Sequence, residues 1–149
     1  MQINGEKVIN IPIHEIWLGL NDPEVLRKCT PGCKSLVAIS DSEFEVEMQV
    51  GIAAVKGSFK GHITISDKVP DSSYRVSVDA TSPIGFTRMQ GALSLTPEGE
   101  GTKITHEVDA QIGGMIAGVG QRIMGGFAKK QIENFFSTFE KELKATQGD

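Results

Sequence analysis

The chain has 149 residues, and its 15 Lys and Arg against 19 Asp and Glu leave a formal charge of −4. With 39% hydrophobic and 23% charged residues it sits near the globular average, which excludes disordered, fibrous and coiled-coil classes and implies one domain, residues 1–149. Mild acidity and a longest basic run of only Lys129-Lys130 exclude a dedicated nucleic-acid binder, and no stretch approaches the roughly 20 apolar residues of a membrane span.

In chain order, residues 2–11 read as a poorly alternating strand; its first residues show no basic region followed by an apolar one, so a cytoplasmic protein is expected. Pro12 suits a first helical turn, and Ile13, Ile16, Trp17 and Leu20 recur at helical spacing. A second short helix opens at Asp22-Pro23-Glu24-Val25, where Asp22 caps, Pro23 needs no donor and Glu24 favours the positive helix end; it stops by Pro31-Gly32. Residues 33–41 read as a further strand.

Period-two alternation then takes over. Inward sets are Phe44, Val46, Met48, Val50 and Ile52; Phe59, Gly61, Ile63 and Ile65; Tyr74, Val76, Val78 and Ala80; Met89, Gly91, Leu93 and Leu95; and Ile104, His106, Val108, Ala110 and Ile112. Turn signals separate them at Lys56-Gly57, Pro70-Asp71-Ser72, Ser82-Pro83 and residues 97–101, and such short connections make neighbours antiparallel. The expectation is an α+β fold: a curved antiparallel sheet of about seven strands wrapped around one long C-terminal helix, with two short helices after the first strand. That helix is expected over about 114–145, on a stripe from Met115, Val119, Ile123 and Phe127 to Phe135, Phe136, Phe139 and Leu143. Gly113, Gly114, Gly118, Gly120, Gly125 and Gly126 crowd its first half, each costing about 1 kcal/mol against Ala. Either the backbone there approaches the sheet closely, or this half bends and opens over something.

Several chemistries are excluded by what the glycines lack. Ile123 stands where a dinucleotide fingerprint needs its third glycine, and Gly126 and Phe127 stand where a P-loop needs Lys and Ser/Thr. Zincin, nucleophile-elbow and EF-hand patterns are absent. Cys29 and Cys33 flank Thr30-Pro31-Gly32 with no second pair, and the histidines are scattered at 14, 62 and 106, so two reduced thiols are expected rather than a metal site. His106 is the one ionisable residue on an inward face: it is either a neutral core histidine bonded to Tyr74 or the backbone, or a ligand contact. Arg122 lies one position off the helix stripe, at a cavity mouth or in solvent. Met48, Met89, Met115 and Met124, with inward Gly61 and Gly91, point to an elongated apolar cavity.

The run Asp22-Pro23-Glu24-Val25-Leu26, then Cys29-Thr30-Pro31-Gly32-Cys33, resembles the carbon monoxide dehydrogenase G-subunit family, a branch of the START-like (SRPBCC) helix-grip superfamily. Val55-Lys56-Gly57-Ser58-Phe59-Lys60-Gly61, Gly101-Thr102, Gly113-Gly114, Ala117-Gly118-Val119-Gly120-Gln121-Arg122 and Phe135-Phe136 extend the resemblance over about residues 1–143. It implies a hydrophobic tunnel between sheet and C-terminal helix, and an accessory role beside a molybdenum-containing carbon monoxide dehydrogenase or related hydroxylase. Relatives often continue into a linker and hydrophobic anchor, whereas this sequence ends at Asp149, so only transient contact with the inner face of a membrane is expected.

The reading that follows is a non-catalytic carrier of a long apolar molecule, an isoprenoid quinone or a lipid, with no cofactor and no metal. Trp17, Phe59, Tyr74, Met89, Met115, Val119, Ile123 and Phe127 are expected to line the cavity, with His106 and Arg122 anchoring a polar head. Two other classes stay open: a small enzyme using a cavity acid or base, and a docking protein whose cavity is vestigial.

Overall fold

The computed structural model describes residues 1–52 and 54–147; Ala53 and the final residues Gly148 and Asp149 lie outside the described residues. Seven strands form one antiparallel sheet: β1 (Gln2–Ile9), β2 (Cys33–Ala38), β3 (Glu43–Ile52), β4 (Val55–Val69), β5 (Ser73–Ser82), β6 (Gly85–Glu98) and β7 (Gly101–Gly113). Their spatial order is β1-β7-β6-β5-β4-β3-β2, so six strands follow one another as a meander and β1 closes the far edge against β7. Helices α1 (Ile13–Leu20) and α2 (Pro23–Cys29) sit between β1 and β2. The Asp22 carboxylate caps α2 by accepting from the Glu24 backbone N–H at 3.0 Å. The buried Thr102 hydroxyl donates to the Ile11 carbonyl at 2.8 Å, fixing the exit from β1.

The alternation read from the sequence matches the faces of β3 to β7: Phe44, Val46, Ile52, Phe59, Ile65, Tyr74, Ala80, Leu95, Ile104 and Ala110 are buried. One turn signal falls elsewhere. Lys56 and Gly57 lie within β4, and the reversal comes earlier, with Ile52 paired to Val55. Gly57 is needed for packing rather than turning, since a Cβ there would stand 2.9 Å from the Ile84 side chain.

The C-terminal helix also starts later than 114. Met115–Val119 is a short 3-10 turn, and α3 runs Gln121–Gln147. Gly114 and Gly120 bracket the turn at φ 85° and φ 94°, a region that side-chain-bearing residues avoid, so each ends the helical run on its side. The turn is held to the sheet by the Ile116 N–H donating to the Ile84 carbonyl at 2.8 Å.

The core is split. One cluster packs α1, α2 and the C-terminal half of α3, through Phe136, Phe139 and Leu143, onto Ile9, Phe44, Ile65, Leu95 and Ile104. A second lies under the 3-10 turn: Ile52, Phe59, Ala80, Ile116 and Met124.

Candidate functional site

Between sheet and α3 lies a cavity of about 420 Å³, within the usual range for small-molecule sites. Its walls come from inward faces of β3 to β7 with Met1 and Ile3 at β1, and its roof from Ile116 and the α3 residues Met124, Phe127, Ala128, Gln131 and Ile132. Among the lining side chains only Thr30, Thr87 and Gln131 are polar, and none is titratable. The Thr30 hydroxyl is already spent, donating to the Leu26 carbonyl at 2.7 Å. The hydroxyl of Thr87 and the amide of Gln131 have no side-chain hydrogen bond among the described residues, so they are the two groups free to meet a polar end of a guest.

Gly61 and Gly91 both line the cavity. A Cβ on Gly91 would stand 2.7 Å from the Glu107 carbonyl oxygen, and one on Gly61 3.0 Å from the Asp79 carbonyl oxygen. These glycines therefore let neighbouring strands crowd together, which tightens sheet curvature and leaves the concave side open.

Of the residues expected at the site, Phe59, Met89 and Phe127 line the cavity. Val119 is half-buried in the cluster beneath the 3-10 turn. Trp17 and Tyr74 are not among the lining residues: their rings pack together at 5.8 Å in the other cluster, and burial pushes the Tyr74 hydroxyl pKa up. His106 is not a lining residue either. Its ring stacks on Phe136 at 6.0 Å, and its Nδ1 is buried with no hydrogen-bond partner among the described residues; of the two core partners expected for it, Tyr74 or the backbone, the backbone of Ile3 is the one it meets. Burial lowers the His106 pKa, opposed by the Ile3 backbone. Met115 is 66% exposed and Ile123 49% exposed, while Arg122 is exposed and joins no ion pair among the described residues.

Sequence reasoning missed most of the wall, notably Val78, Val108, Ala110, Ile112 and Gln131. For the four strand residues the signal was present in the alternation, which marks a strand's inward face without separating filled core from cavity; Gln131 lies on α3, where a polar residue inside the stripe gave none. On α3 the inward positions are Met124, Phe127, Ala128, Gln131 and Ile132, so Ile123 falls at the edge of the stripe.

Two further features lie outside the cavity. Cys29 and Cys33 are free thiols; burial raises both pKa values, Cys29 to about 11, which makes them poor nucleophiles. A depression of about 720 Å³ on the outer side of β5 to β7 is lined by Ser77, Asp79, Thr81, Arg88, Gln90 and Gln111, groups that water satisfies equally well. Among the described residues no group of three or more His, Cys, Asp or Glu side chains could hold a metal ion, and no helix is long and apolar enough to cross a membrane.

A curved seven-stranded sheet gripping a long C-terminal helix over an apolar cavity defines a START-like helix-grip protein. A START superfamily protein from Mycobacterium smegmatis has the same fold, with a TM-score of 0.74, 12% identity, and coverage of 97% of this chain and 98% of that one. A protein from Thermus thermophilus superposes with a TM-score of 0.73 at 15% identity, covering 98% and 99% of the two chains. The carbon monoxide dehydrogenase G-subunit (CoxG) family model matches residues 5–144, and the chain belongs to that family. A conserved protein from Geobacillus kaustophilus is 37% identical, with a TM-score of 0.93 and coverage of 98% and 97%. No curated protein matches the chain.

Proposed function

We propose that this protein is a non-catalytic carrier of a long apolar molecule, an isoprenoid quinone or a fatty-acyl lipid, and serves a molybdenum-containing carbon monoxide dehydrogenase-type enzyme. The observation that carries this reading is the cavity itself: about 420 Å³, walled by the apolar faces of six strands, with three polar side chains and no titratable one. Such a lining rewards burial of hydrocarbon at about 25 cal/mol per Å² and brings no titratable side chain to a substrate. An enzyme reading needs a reactive group at the cavity, and His106, its best candidate in the sequence, packs against Phe136 instead. Thr87 and Gln131 take the role of contacts for a carbonyl or other polar head. Membership of the CoxG family supports the accessory role beside a dehydrogenase.

The test is native mass spectrometry of the purified protein, with solvent extraction and identification of what is released. Near-stoichiometric quinone or lipid, or its uptake on incubation with menaquinone or fatty acid, is the expected result. A mass that stays that of the bare chain after both incubations overturns the carrier reading and transfers it to a docking protein with an unused cavity.

A further inference from the structure

We propose that the free edge of β2 pairs with the same edge of a second copy of this chain, antiparallel and about a two-fold axis at Val37. This edge lies apart from the cavity, since none of residues 33–39 lines it. The sheet has two open edges, β1 on one side and β2 on the other. An open edge carries unpaired N–H and C=O groups, and proteins that stay single blunt theirs with charges, proline or bulges. Strand β1 carries Glu6 and Lys7. From Ser35 to Ser40, β2 and the residues just after it read Ser-Leu-Val-Ala-Ile-Ser, with no charge, proline or glycine, and the bulge at Lys34 precedes them. Val37 is 59% exposed and Ile39 51%, and both are β-branched residues that suit strand pairing.

The hydrogen-bond phase of the edge sets the register. The Ile39 N–H donates to the Glu43 carbonyl at 2.8 Å, so Ile39 and, two residues back, Val37 turn their backbone groups toward β3. Leu36 and Ala38 therefore point theirs outward from the edge. An antiparallel copy centred on Val37 sets Leu36 of each chain opposite Ala38 of the other. Each such pair exchanges both of its N–H···O bonds, and no outward group of Leu36 or Ala38 is left over. Val37 then meets Val37 of the other copy in the closer, non-hydrogen-bonded position, at about 4.5 Å between Cα atoms, and Ile39 meets Ser35.

Charge names a second copy as the occupant. Lys34 opens the strand and Asp41 follows its end; both are exposed, and neither joins an ion pair among the described residues. Running antiparallel, each chain brings its Lys34 beside Ser40 and Asp41 of the other, so one sequence supplies an opposite-charge pair at both ends of the interface. The contact is also closed. It consumes both β2 edges and leaves the two β1 edges with their charges, so the seven-stranded sheet is doubled rather than extended into a fibre.

The experiment is sedimentation equilibrium of the full chain up to about a millimolar, the range that an interface this small requires. A monomer–dimer equilibrium is the expected result. Ala38→Pro, which removes an outward donor and leaves the bonds to β3, should abolish the dimer. Val37→Cys should give a disulfide-linked dimer in air, while the wild type, with Cys29 and Cys33 alone, should not. Lys34→Asp and Asp41→Lys should each weaken dimerisation about tenfold. An equimolar mixture of those two variants should regain wild-type association, because opposite charges then meet at both ends. Circular dichroism checks that each variant is folded; if Ala38→Pro is not, the cross-link and the mixing experiment decide. A monomeric wild type, a dimer that survives folded Ala38→Pro, no cross-link through Val37→Cys, or charge variants that fail to recover on mixing each overturns the proposal. Assemblies larger than a dimer overturn it as well, since they need an edge that the two-fold does not use.

Discussion

Glycines in this chain do opposite things at different places, and their substitution separates the roles. At Gly91 a methyl would press on the Glu107 carbonyl oxygen at 2.7 Å, so Gly91→Ala is expected to lower stability by about 1–3 kcal/mol. At Gly126 nothing lies within 4 Å and the residue is helical, so Gly126→Ala is expected to raise stability by about 1 kcal/mol. Urea unfolding of the two variants checks both signs. His106 supplies a second test. Its pKa is lowered in the folded state, so below the ordinary value of 6.5 the unfolded chain takes up the proton more readily, and stability falls as pH drops through that window. Replacing it in His106→Leu should flatten this acid-side loss, measured as unfolding free energy at pH 5 against pH 7. The sequence showed that His106 faces inward; it did not show that Phe136, thirty positions on, would cover the ring.

At the scale of elements, α3 is two helices in one. Its C-terminal half is pinned by buried Phe136, Phe139 and Leu143 against α1 and α2, whereas its N-terminal half roofs a cavity and has two adjacent glycines. Hydrogen exchange should therefore be slow from about Phe135 onward and much faster over residues 121–128; uniform protection along the helix would contradict the division. This division was partly legible: the glycine crowding pointed to a bent or closely approaching half, and both occur. Gly113 could not carry a methyl without striking the Phe86 ring, and a Cβ on Gly114 would meet the Gly85 backbone at 2.5 Å. The break at Gly120 was not legible, because residues on both sides hold a period near 3.6 and only the backbone angle at φ 94° interrupts it. That break is why Met115 points to solvent rather than into the roof. The strands fared better, since a period of two leaves no ambiguity of face once one side is buried.

For the whole molecule, the core is divided into two clusters with the cavity beside them, and the proposed guest would complete the interior. Saturation with menaquinone at about a hundred times its dissociation constant should add about 2.7 kcal/mol, raising Tm by roughly 5–10 °C for a chain of this size. Val108→Trp, which fills the cavity from β7, should abolish that rise while the variant still melts cooperatively, and a scanning calorimeter reads both. The fold class was readable because alternation, turn residues and helix caps agreed with one another. The site was half readable: inward faces were assigned, but empty and filled parts of an apolar interior have the same composition, and only packing tells them apart.

The closure of the sheet by β1 also sets the order in which the protein comes into being. Gln2 pairs with Asp109 and Ile9 with Thr102, so the first strand leaves the ribosome about a hundred residues ahead of the strand it pairs with. At roughly 5–20 residues per second it waits about 5–20 s in an incomplete chain. Helices α1 and α2 and the hairpins from β2 to β6 make short-range contacts and can assemble meanwhile, but the wall that β7 supplies, and the roof laid over it by α3, come last. During translation the cavity is thus an open trough, and the apolar strand faces that later line it are the surfaces a chaperone would meet first.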